Sequence, residues 1–477
     1  MASQDEQKLP LTSLTAMVIG SMVGAGIFNL PGRFATATGP FGAIIAWVIA
    51  GTGMYMLARV FQALAQTRPE IDNGVFAYAK AGFGDYTGFL SAFGYWISAI
   101  LGNTFYWVLI SATLGQFFPP IFGDGTNAVS IIVSLVGVWA FHFVILRGVR
   151  EATFINKIVT VAKIVPIILA ILIFVFFFDY SQFSENFFGG VGMPEKSLVM
   201  QVRDTMLITV FVFLGIEGAS VYSRYAKKRS DIGAATILGF VGVTGLMVAI
   251  TLLPYATAPR SAISGVANPS LAGALELVAG HWGAVMIKIG VLVSVLGAFL
   301  AWTLITAEVA FAAAKSKDMP SLFAAQNSNE VPSTALWVSN IVVSLFIIST
   351  YWSRDAFNFM LDMCSVMSLL PYLLVAGYGV LVARGGTGYE TTPNERGRDQ
   401  IFAWIAAVYT LFMFVAAGLK YVVLMMVLFL PGTILYYWAR REQNARVFTP
   451  AELGIFAVVV VGAAIGAYGL ATGLITP

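Results

Sequence analysis

The sequence has few charged residues, one cysteine and two histidines. Charged residues make up 11% of the 477 positions, whereas soluble domains contain about 25%, so the composition excludes an ordinary water-soluble protein. Cys364 has no second cysteine with which to form an internal disulfide or a cysteine-based metal site. His142 and His281 lie far apart in the sequence, which favours structural roles for both. The sequence contains no phosphate-binding loop and no metal-ligand cluster, and we expect no cofactor.

Long apolar runs take up most of the chain. Hydrophobic residues account for 58% of it and the mean hydropathy is +0.83, and apolar runs of about 18 residues or more recur along the whole length. We therefore predict an all-α integral membrane protein with one membrane domain over residues 1–477. The polar first residues show no signal-peptide pattern, so the first span is expected to direct its own insertion. The thirteen predicted spans lie at about 11–37, 39–66, 84–118, 127–146, 152–178, 202–224, 232–256, 281–314, 333–351, 355–383, 400–417, 419–439 and 451–473.

Lysine and arginine predict the orientation of these spans. Most of the 27 basic residues fall on one set of loops and span ends, and only Lys288 lies well inside a span. The positive-inside rule makes that set cytoplasmic, together with the N-terminus. The odd number of spans then places the C-terminus outside. The basic residues predicted on the outer side are Arg33, Lys196, Arg203, Arg260, Arg354 and Lys420.

One predicted outer loop contains a short helix. Residues Asn268–Gly280 begin with an Asn-Pro pair and continue with helix-forming residues. Ser270 is expected at the N-cap, where its hydroxyl would accept a backbone N–H. Such a helix is either a lid or a plain connector.

The first span contains three glycines that predict a break in its helix. Gly20, Gly24 and Gly26 lie close together, and a glycine inside a helix costs about 0.8–1.0 kcal/mol relative to alanine. Broken backbone at membrane depth is tolerated only where it is buried in protein or lines a watery cavity. The N–H groups that begin the second half-helix can then bind an anionic group. The alternative is an unbroken helix that packs closely through its small residues.

The sixth predicted span carries two glycines around an acidic residue. Gly215 and Gly218 flank Glu217, and a charge near the bilayer centre costs about 2.5–3.5 kcal/mol. Glu217 is therefore either a functional residue or a structural hydrogen-bonding group. Interrupted helices in corresponding positions of two halves are typical of secondary transporters with inverted repeats. The predicted parts are a first repeat at about 11–178, a second repeat at about 202–383 and additional helices at about 400–473.

Several motifs resemble the amino acid–polyamine–organocation (APC) superfamily. The motifs shared most widely are Gly24–Phe28, residues 147–152, Phe213–Ser220 and Ala301–Leu304. Narrower motifs are similar to the arginine/ornithine exchangers among the basic amino acid/polyamine antiporters, and they are Leu101–Val108, Ala226–Asp231 and Phe357–Ser368. The resemblance covers nearly the whole chain, including the last span. It implies a LeuT-like (APC) fold with a 5+5 inverted repeat and about thirteen transmembrane helices, of which spans 1 and 6 are broken.

The resemblance also implies exchange of basic amino acids by alternating access. In that family the substrate carboxylate binds at the break of span 1 and the α-ammonium at carbonyl groups of span 6, while aromatic residues flank the side chain. Tyr106 joins the set because a distal cation needs aromatic faces and oxygen atoms. The expected substrate contacts are Val23, Gly24, Ala25, Gly26, Asn103, Tyr106, Phe211, Leu214, Trp302, Cys364 and Ser365. The residues expected in gating or coupling are Tyr95, Glu217 and Tyr372.

Two positions depart from the arginine/agmatine exchangers of the same family. Those proteins have serine where Ala25 stands and tryptophan where Phe211 stands. The missing hydroxyl removes one carboxylate contact, and phenylalanine offers a cation a poorer face than tryptophan does. These differences argue against assigning that subfamily's substrate to this chain. Asp362 is a further acid that either faces the substrate as its cation partner or lies at a span end.

The sequence therefore predicts an arginine/ornithine antiporter of a bacterial inner membrane, without enzymatic activity. The open alternatives are lysine uptake, exchange of a basic amino acid for its decarboxylated amine, and amino acid sensing without transport. Residue types alone do not separate arginine, ornithine and lysine, because their head groups are alike. The expected partners are one of these small molecules, membrane lipid and a second copy of the chain in a homodimer, with no nucleic acid.

Overall fold

The computed structural model describes residues 11–71, 75–148, 152–190, 196–216, 229–353, 355–390 and 392–475, and all regular structure in these ranges is helical. The α-helices are α1 (Leu11–Met22), α2 (Leu30–Ala37), α3 (Pro40–Thr67), α4 (Val75–Phe83), α5 (Asp85–Phe117), α6 (Pro119–Phe122), α7 (Ala128–Leu146), α8 (Ala152–Phe176), α9 (Tyr180–Asn186), α10 (Leu198–Phe213), α11 (Arg229–Leu252), α12 (Arg260–Ser264), α13 (Ser270–Ala279), α14 (His281–Lys315), α15 (Ser333–Ser349), α16 (Ala356–Gly385), α17 (Pro393–Glu442) and α18 (Pro450–Ala471). The 3-10 helices are Ala25–Asn29, Leu253–Ala256, Ser321–Ala324 and Thr350–Trp352.

Most long helices match the predicted spans to within about four residues, but α17 begins at Pro393 rather than near 400, and the end of the predicted span 202–224 lies outside the described residues. Nine helices in the described ranges are long and apolar enough to cross a membrane, or ten if a pair bent by 101° between α8 and α9 is counted as one span. Helix α17 contains two predicted spans, and they meet at Gly418, whose φ of 78° and ψ of 165° are not helical. The total of thirteen spans and the boundaries of the two repeats stay predictions.

The structure divides into two compact units, and the first consists of residues 1–58, 112–117 and 151–298. Helix α1 packs on α11, where a Cβ atom at Gly239 would lie 2.6 Å from Val18 Cγ1. Only glycine allows the two helices to approach this closely. Helix α2 packs on α10, α12 and α13.

The C-terminal end of α2 is held by one buried arginine. Arg260 Nε donates to Ala35 O at 2.6 Å, Nη1 to Gly189 O at 2.7 Å and Nη2 to Thr36 O at 3.3 Å. Asn186 Oδ1 accepts the Arg260 N–H at 2.9 Å and so fixes the backbone that carries the guanidinium. A cation at this position also balances the partial negative charge at a helix C-terminus.

The short helix predicted within residues 268–280 is confirmed as α13, but the expected cap is wrong. The N-cap residue is Pro269, and no side chain caps the helix. Ser270 Oγ instead accepts the Gly32 N–H at 2.9 Å. This N–H lies in the first turn of α2, where no helical carbonyl is available to it. A Cβ atom at Gly32 would lie 2.7 Å from Ser270 Cβ, so glycine permits the contact.

The second unit consists of residues 59–111, 118–150 and 299–477. Helix α16 packs along α17 and α4, α17 packs along α18, and α15 packs on α7. Between α7 and α15, His142 Nδ1 lies 3.0 Å from Asn340 Nδ2. Both residues are buried, which fits the structural role that we favour for His142.

A cluster of charged side chains surrounds the first residue of α5. Lys80 Nζ lies 2.7 Å from Asp318 Oδ1 and 3.5 Å from Asp85 Oδ1, and Arg440 Nη1 donates to Asp85 Oδ2 at 2.9 Å. Asp318 is 2% exposed. Its burial raises the pKa of the carboxyl to about 6, although the ammonium of Lys80 acts in the opposite direction.

Candidate functional site

The predicted break in span 1 is confirmed. Helix α1 ends at Met22, and Gly24 has an extended backbone with φ −103° and ψ −165°. The chain then continues as the 3-10 helix Ala25–Asn29 and as α2. Pro31 lies in the first turn of α2, where its missing N–H costs nothing. Val23, on the other side of the break from Ala25, is buried.

The break removes the helical partner of one carbonyl group. In a continuous helix the Gly24 N–H would bind Gly20 O, but it donates to Met22 O at 2.9 Å. Lys163 Nζ of α8 donates to Gly20 O at 3.4 Å, and Lys163 is 6% exposed. An ammonium of the protein itself therefore lies at the carbonyl end of α1.

The predicted break in span 6 is confirmed within the described residues. Helix α10 ends at Phe213, Leu214 has a ψ of 134°, and Gly215 has a φ of 101°, a value that favours glycine. The carbonyls of Phe211 and Phe213 accept the N–H groups of Leu214 and Ile216, both at 3.2 Å. A carbonyl oxygen has two lone pairs, so each retains capacity for a further donor.

Glu217 and Gly218, which we expected to continue this break, lie outside the described residues.

The two breaks approach each other within the first unit. A Cβ atom at Gly26 would lie 2.7 Å from both Phe211 Cδ1 and Val212 Cγ1. Phe211 and Leu214 are each 7% exposed. The structure thus brings together the expected contacts of spans 1 and 6, with Gly26 at their closest point.

In the second unit, Asn103 of α5 faces α14. Its Nδ2 donates to Thr306 Oγ1 at 3.1 Å, and that hydroxyl donates to Trp302 O at 2.6 Å. Because the hydroxyl proton is already used, Thr306 must act as the acceptor for Asn103, which fixes the orientation of the amide. Asn103 Oδ1 is buried, and no donor to it is found among the described residues. This oxygen is a ready acceptor for a ligand N–H group.

Cys364 of α16 also lies against α5. Ser98 Oγ donates to Cys364 O at 2.7 Å, and a Cβ atom at Gly102 would lie 3.4 Å from Cys364 Sγ. Tyr106, three residues beyond Asn103 on α5 and therefore on the same side of that helix, is buried. Ser365 Oγ donates to Leu361 O within α16 at 3.0 Å. The structure therefore brings Asn103, Tyr106 and Cys364 onto neighbouring parts of α5 and α16.

The remaining expected residues of the second unit lie on the same helices. Tyr95 of α5 is 7% exposed, and Tyr372 of α16 is fully buried. The ring of Tyr372 packs edge-on against Phe61, with ring centroids 6.2 Å apart. Asp362 is 4% exposed, and its Oδ2 accepts a hydrogen bond from Tyr421 of α17 at 3.0 Å.

Sequence reasoning did not single out Lys163, Ser98 or Thr306. Lys163 belongs to the basic residues that predict the cytoplasmic side, but it lies inside the predicted span 152–178, so Lys288 is not the single basic residue within a span. The position of Lys163 within the apolar run of α8 was the available signal, because an ionisable residue at membrane depth is functional by default. Ser98 and Thr306 carry no such signal, since hydroxyl side chains are common in transmembrane helices. The described residues contain no group of three or more His, Cys, Asp or Glu that could hold a metal ion.

Comparison with known proteins places this chain among amino acid transporters. Residues 9–420 match the sequence profile of the amino acid permease family. An arginine/ornithine antiporter of Pseudomonas aeruginosa is 46% identical over 482 residues, which cover 100% of both chains. An arginine/agmatine antiporter of Chlamydia abortus is 36% identical over 451 residues, which cover 94% of this chain and 93% of that protein.

One solved structure supports the fold. The crystal structure of MhsT in complex with L-phenylalanine matches with a TM-score of 0.56 at 17% identity, and the match covers 86% of this chain and 99% of that one. The predicted all-α, LeuT-like fold is confirmed by this match together with the two broken helices. The chain is a multi-pass membrane protein.

Proposed function

Because this chain belongs to the amino acid permease family, we propose that it exchanges arginine for ornithine across the membrane by alternating access. The observation that carries this proposal is the 46% identity, over the full length of both chains, to an arginine/ornithine antiporter. The family's members are transporters, and we propose no catalytic activity.

In the first unit, we propose that the break of span 1 binds the substrate carboxylate. The backbone N–H groups of residues 25–27 begin the 3-10 helix that leads into α2, and the positive end of a helix dipole favours an anion. The Gly24 N–H is already bound to Met22 O, so Gly24 is proposed to line the site. The α-ammonium then binds carbonyl oxygens at the end of α10, near Phe211 and Leu214. Val23, Ala25 and Gly26 form the walls of this part of the site.

In the second unit, we propose that the cationic end of the substrate is recognised by polar and aromatic side chains. Asn103 Oδ1 supplies a buried acceptor, and the faces of Tyr106 and Trp302 attract a cation. Cys364 and Ser365 complete this set.

Tyr95, Glu217 and Tyr372 are proposed to act in gating, and Asp362 is proposed as a cation partner. Replacement of Asp362 by asparagine with no change in substrate preference would remove Asp362 from the proposal.

We propose a bacterial inner-membrane location with a cytoplasmic N-terminus. The excess of lysine and arginine on one set of loops supports this orientation. A homodimer and contacts with specific lipids stay predictions.

The proposed function is tested by counterflow in proteoliposomes. Vesicles loaded with ornithine should accumulate radiolabelled arginine, while empty vesicles should not. Parallel vesicles loaded with lysine, agmatine or cadaverine identify the preferred exchange partner. A protein that only senses amino acids would bind arginine without any counterflow, and that result would refute the proposal.

The voltage dependence of exchange provides a second test. Arginine and ornithine both carry one net positive charge, so one-for-one exchange moves no net charge. An uncoupled cation would gain or lose about 2.3 kcal/mol per 100 mV. Exchange that is insensitive to an imposed potential is therefore expected.

A second candidate function is exchange of a basic amino acid for its decarboxylated amine. The 36% identity to an arginine/agmatine antiporter favours it. Arginine and agmatine differ by one charge, so this exchange would depend on the imposed potential. Potential dependence with agmatine-loaded vesicles, combined with little exchange for ornithine, would favour this function over the first.

A further inference from the structure

One carboxylate caps two helices in the second unit. Glu452 lies in the first turn of α18, and its Oε2 accepts the Thr449 N–H at 2.8 Å. Thr449 Oγ1 in turn accepts the Glu452 N–H at 3.4 Å, which completes a capping box. The other oxygen, Oε1, accepts the Tyr86 N–H in the first turn of α5 at 2.8 Å. Glu452 is 6% exposed, so water does not readily replace it at either helix.

The backbone before α5 is shaped to admit this carboxylate. Gly84 has a φ of 96°, and a Cβ atom there would lie 3.2 Å from Glu452 Oε1. A side chain at this position would be strained and would also crowd the oxygen.

Side chains hold the start of α5 from other directions. Arg440 of α17 binds Asp85 at 2.9 Å, and Tyr86 Oη lies 2.9 Å from Thr433 Oγ1, also on α17. The ring of Tyr86 packs against Tyr436, with centroids 5.0 Å apart. These contacts involve side chains of α5, whereas Glu452 binds its backbone directly. The carboxylate therefore fixes the position of the helix itself.

We propose that Glu452 is a positioning residue for substrate binding, acting through α5. This inference rests on the proposed function, because α5 carries Tyr95, Asn103 and Tyr106. Asn103 lies 17 residues beyond Tyr86, about 25 Å along a continuous helix. Because α5 is continuous from Asp85 to Phe117, we expect a shift at its first turn to displace the amide of Asn103 as well. Helix α18 is thereby part of the transport machinery.

The test compares the half-saturating arginine concentration for exchange among variants. Glu452→Ala removes both caps and should raise that concentration at least threefold. Glu452→Gln keeps the shape and one acceptor oxygen, so its increase should be smaller. A loss of folded protein lowers the maximal rate but leaves half-saturation unchanged, so this readout separates positioning from general stability.

The matched control is Thr449→Ala, which removes a cap of α18 but leaves Glu452 beside Tyr86. Its half-saturating concentration should equal that of the wild type. The proposal is overturned if both Glu452 variants leave half-saturation unchanged, or if Thr449→Ala raises it as much as Glu452→Ala does. If Glu452→Ala fails to reach the membrane, the isosteric Glu452→Gln is the test. A raised half-saturating concentration then supports the proposal, and an unchanged one overturns it.

The wild type separates this inference from the proposed function. A wild-type protein that exchanges no arginine refutes the proposed function, and the positioning role falls with it. Wild-type exchange with unchanged variants refutes the positioning role alone.

Discussion

Substitution of Gly26 by alanine should disrupt the contact between the two helix breaks. The added methyl group would lie 2.7 Å from Phe211 Cδ1 and from Val212 Cγ1, well inside van der Waals contact. The ring of Phe211 can rotate, but the Cγ1 atom of Val212 is one bond from the Cβ atom and follows the backbone. The 3-10 helix Ala25–Asn29 must therefore move away from α10 by several tenths of an ångström.

The size of the effect on arginine binding follows from the free-energy cost of adding a methyl group where the packing is already tight. Extra methyl groups in well-packed cores cost about 1–3 kcal/mol. If the extra methyl group destabilises the substrate-bound state by this amount relative to the free protein, the affinity for arginine decreases by about 5- to 150-fold. The half-saturating concentration for arginine counterflow should rise by the same factor, because the displaced N–H groups are those proposed to bind the carboxylate.

The control for this experiment is Gly245→Ala. Gly245 lies in α11, and nothing lies within 4 Å of the position that its Cβ atom would occupy. Alanine there should be neutral or slightly stabilising. If the half-saturating arginine concentration of Gly26→Ala lies within twofold of the wild-type value, the close contact between the two helix breaks is not needed for substrate binding, and the reasoning is refuted.

Three further predictions concern stability, measured as the thermal unfolding midpoint in detergent. Arg260→Ala should lower the midpoint strongly, because three carbonyls lose a charged donor worth about 1.5–3 kcal/mol each; a midpoint equal to that of the wild type would contradict this. Lys163→Met leaves the Gly20 carbonyl without its ammonium donor and should cost about 1–3 kcal/mol, and an unchanged midpoint would show that the bond contributes nothing. The pKa of Asp318 is raised from 3.8 to about 6, so its contribution to stability is present below about pH 4 and is lost as the pH rises through 6, on the order of 3 kcal/mol in total. The midpoint of Asp318→Asn should therefore depend less on pH between 4 and 7 than that of the wild type, and parallel curves would refute this.

The helix breaks were predictable because their cause is local. Gly215 has a φ of 101°, which favours glycine, and Gly20, Gly24 and Gly26 make a continuous helix unfavourable in span 1. The ends of the long helices were predictable for the same reason, since apolar runs and polar loops alternate along the chain. The family resemblance added the expected site residues, and their roles stay predictions.

The contacts that local reasoning missed join residues far apart in the chain. Lys163 and Lys288 both lie in apolar helices, and nothing near either residue tells which one reaches the break. The structure places Lys163 at Gly20 O, whereas Lys288 Nζ lies over the ring of Phe117, 5.7 Å from its centroid. Ser270 looked like an N-cap, but its hydroxyl binds an N–H that is 238 residues away. Such pairings depend on tertiary packing, which a single sequence does not encode locally.

The exposure of α18 has an evolutionary consequence. In its most apolar stretch only 22% of the residues are buried inside the protein. If α18 crosses the membrane as predicted, most of its side chains contact lipid tails, which pack equally well against valine, isoleucine or leucine. Mutations that exchange valine, isoleucine and leucine there should accumulate almost without selection. Glu452 and its neighbours in the first turn should be conserved, because their hydrogen bonds depend on the residue type. The same helix should therefore contain both rapidly changing and strongly conserved positions.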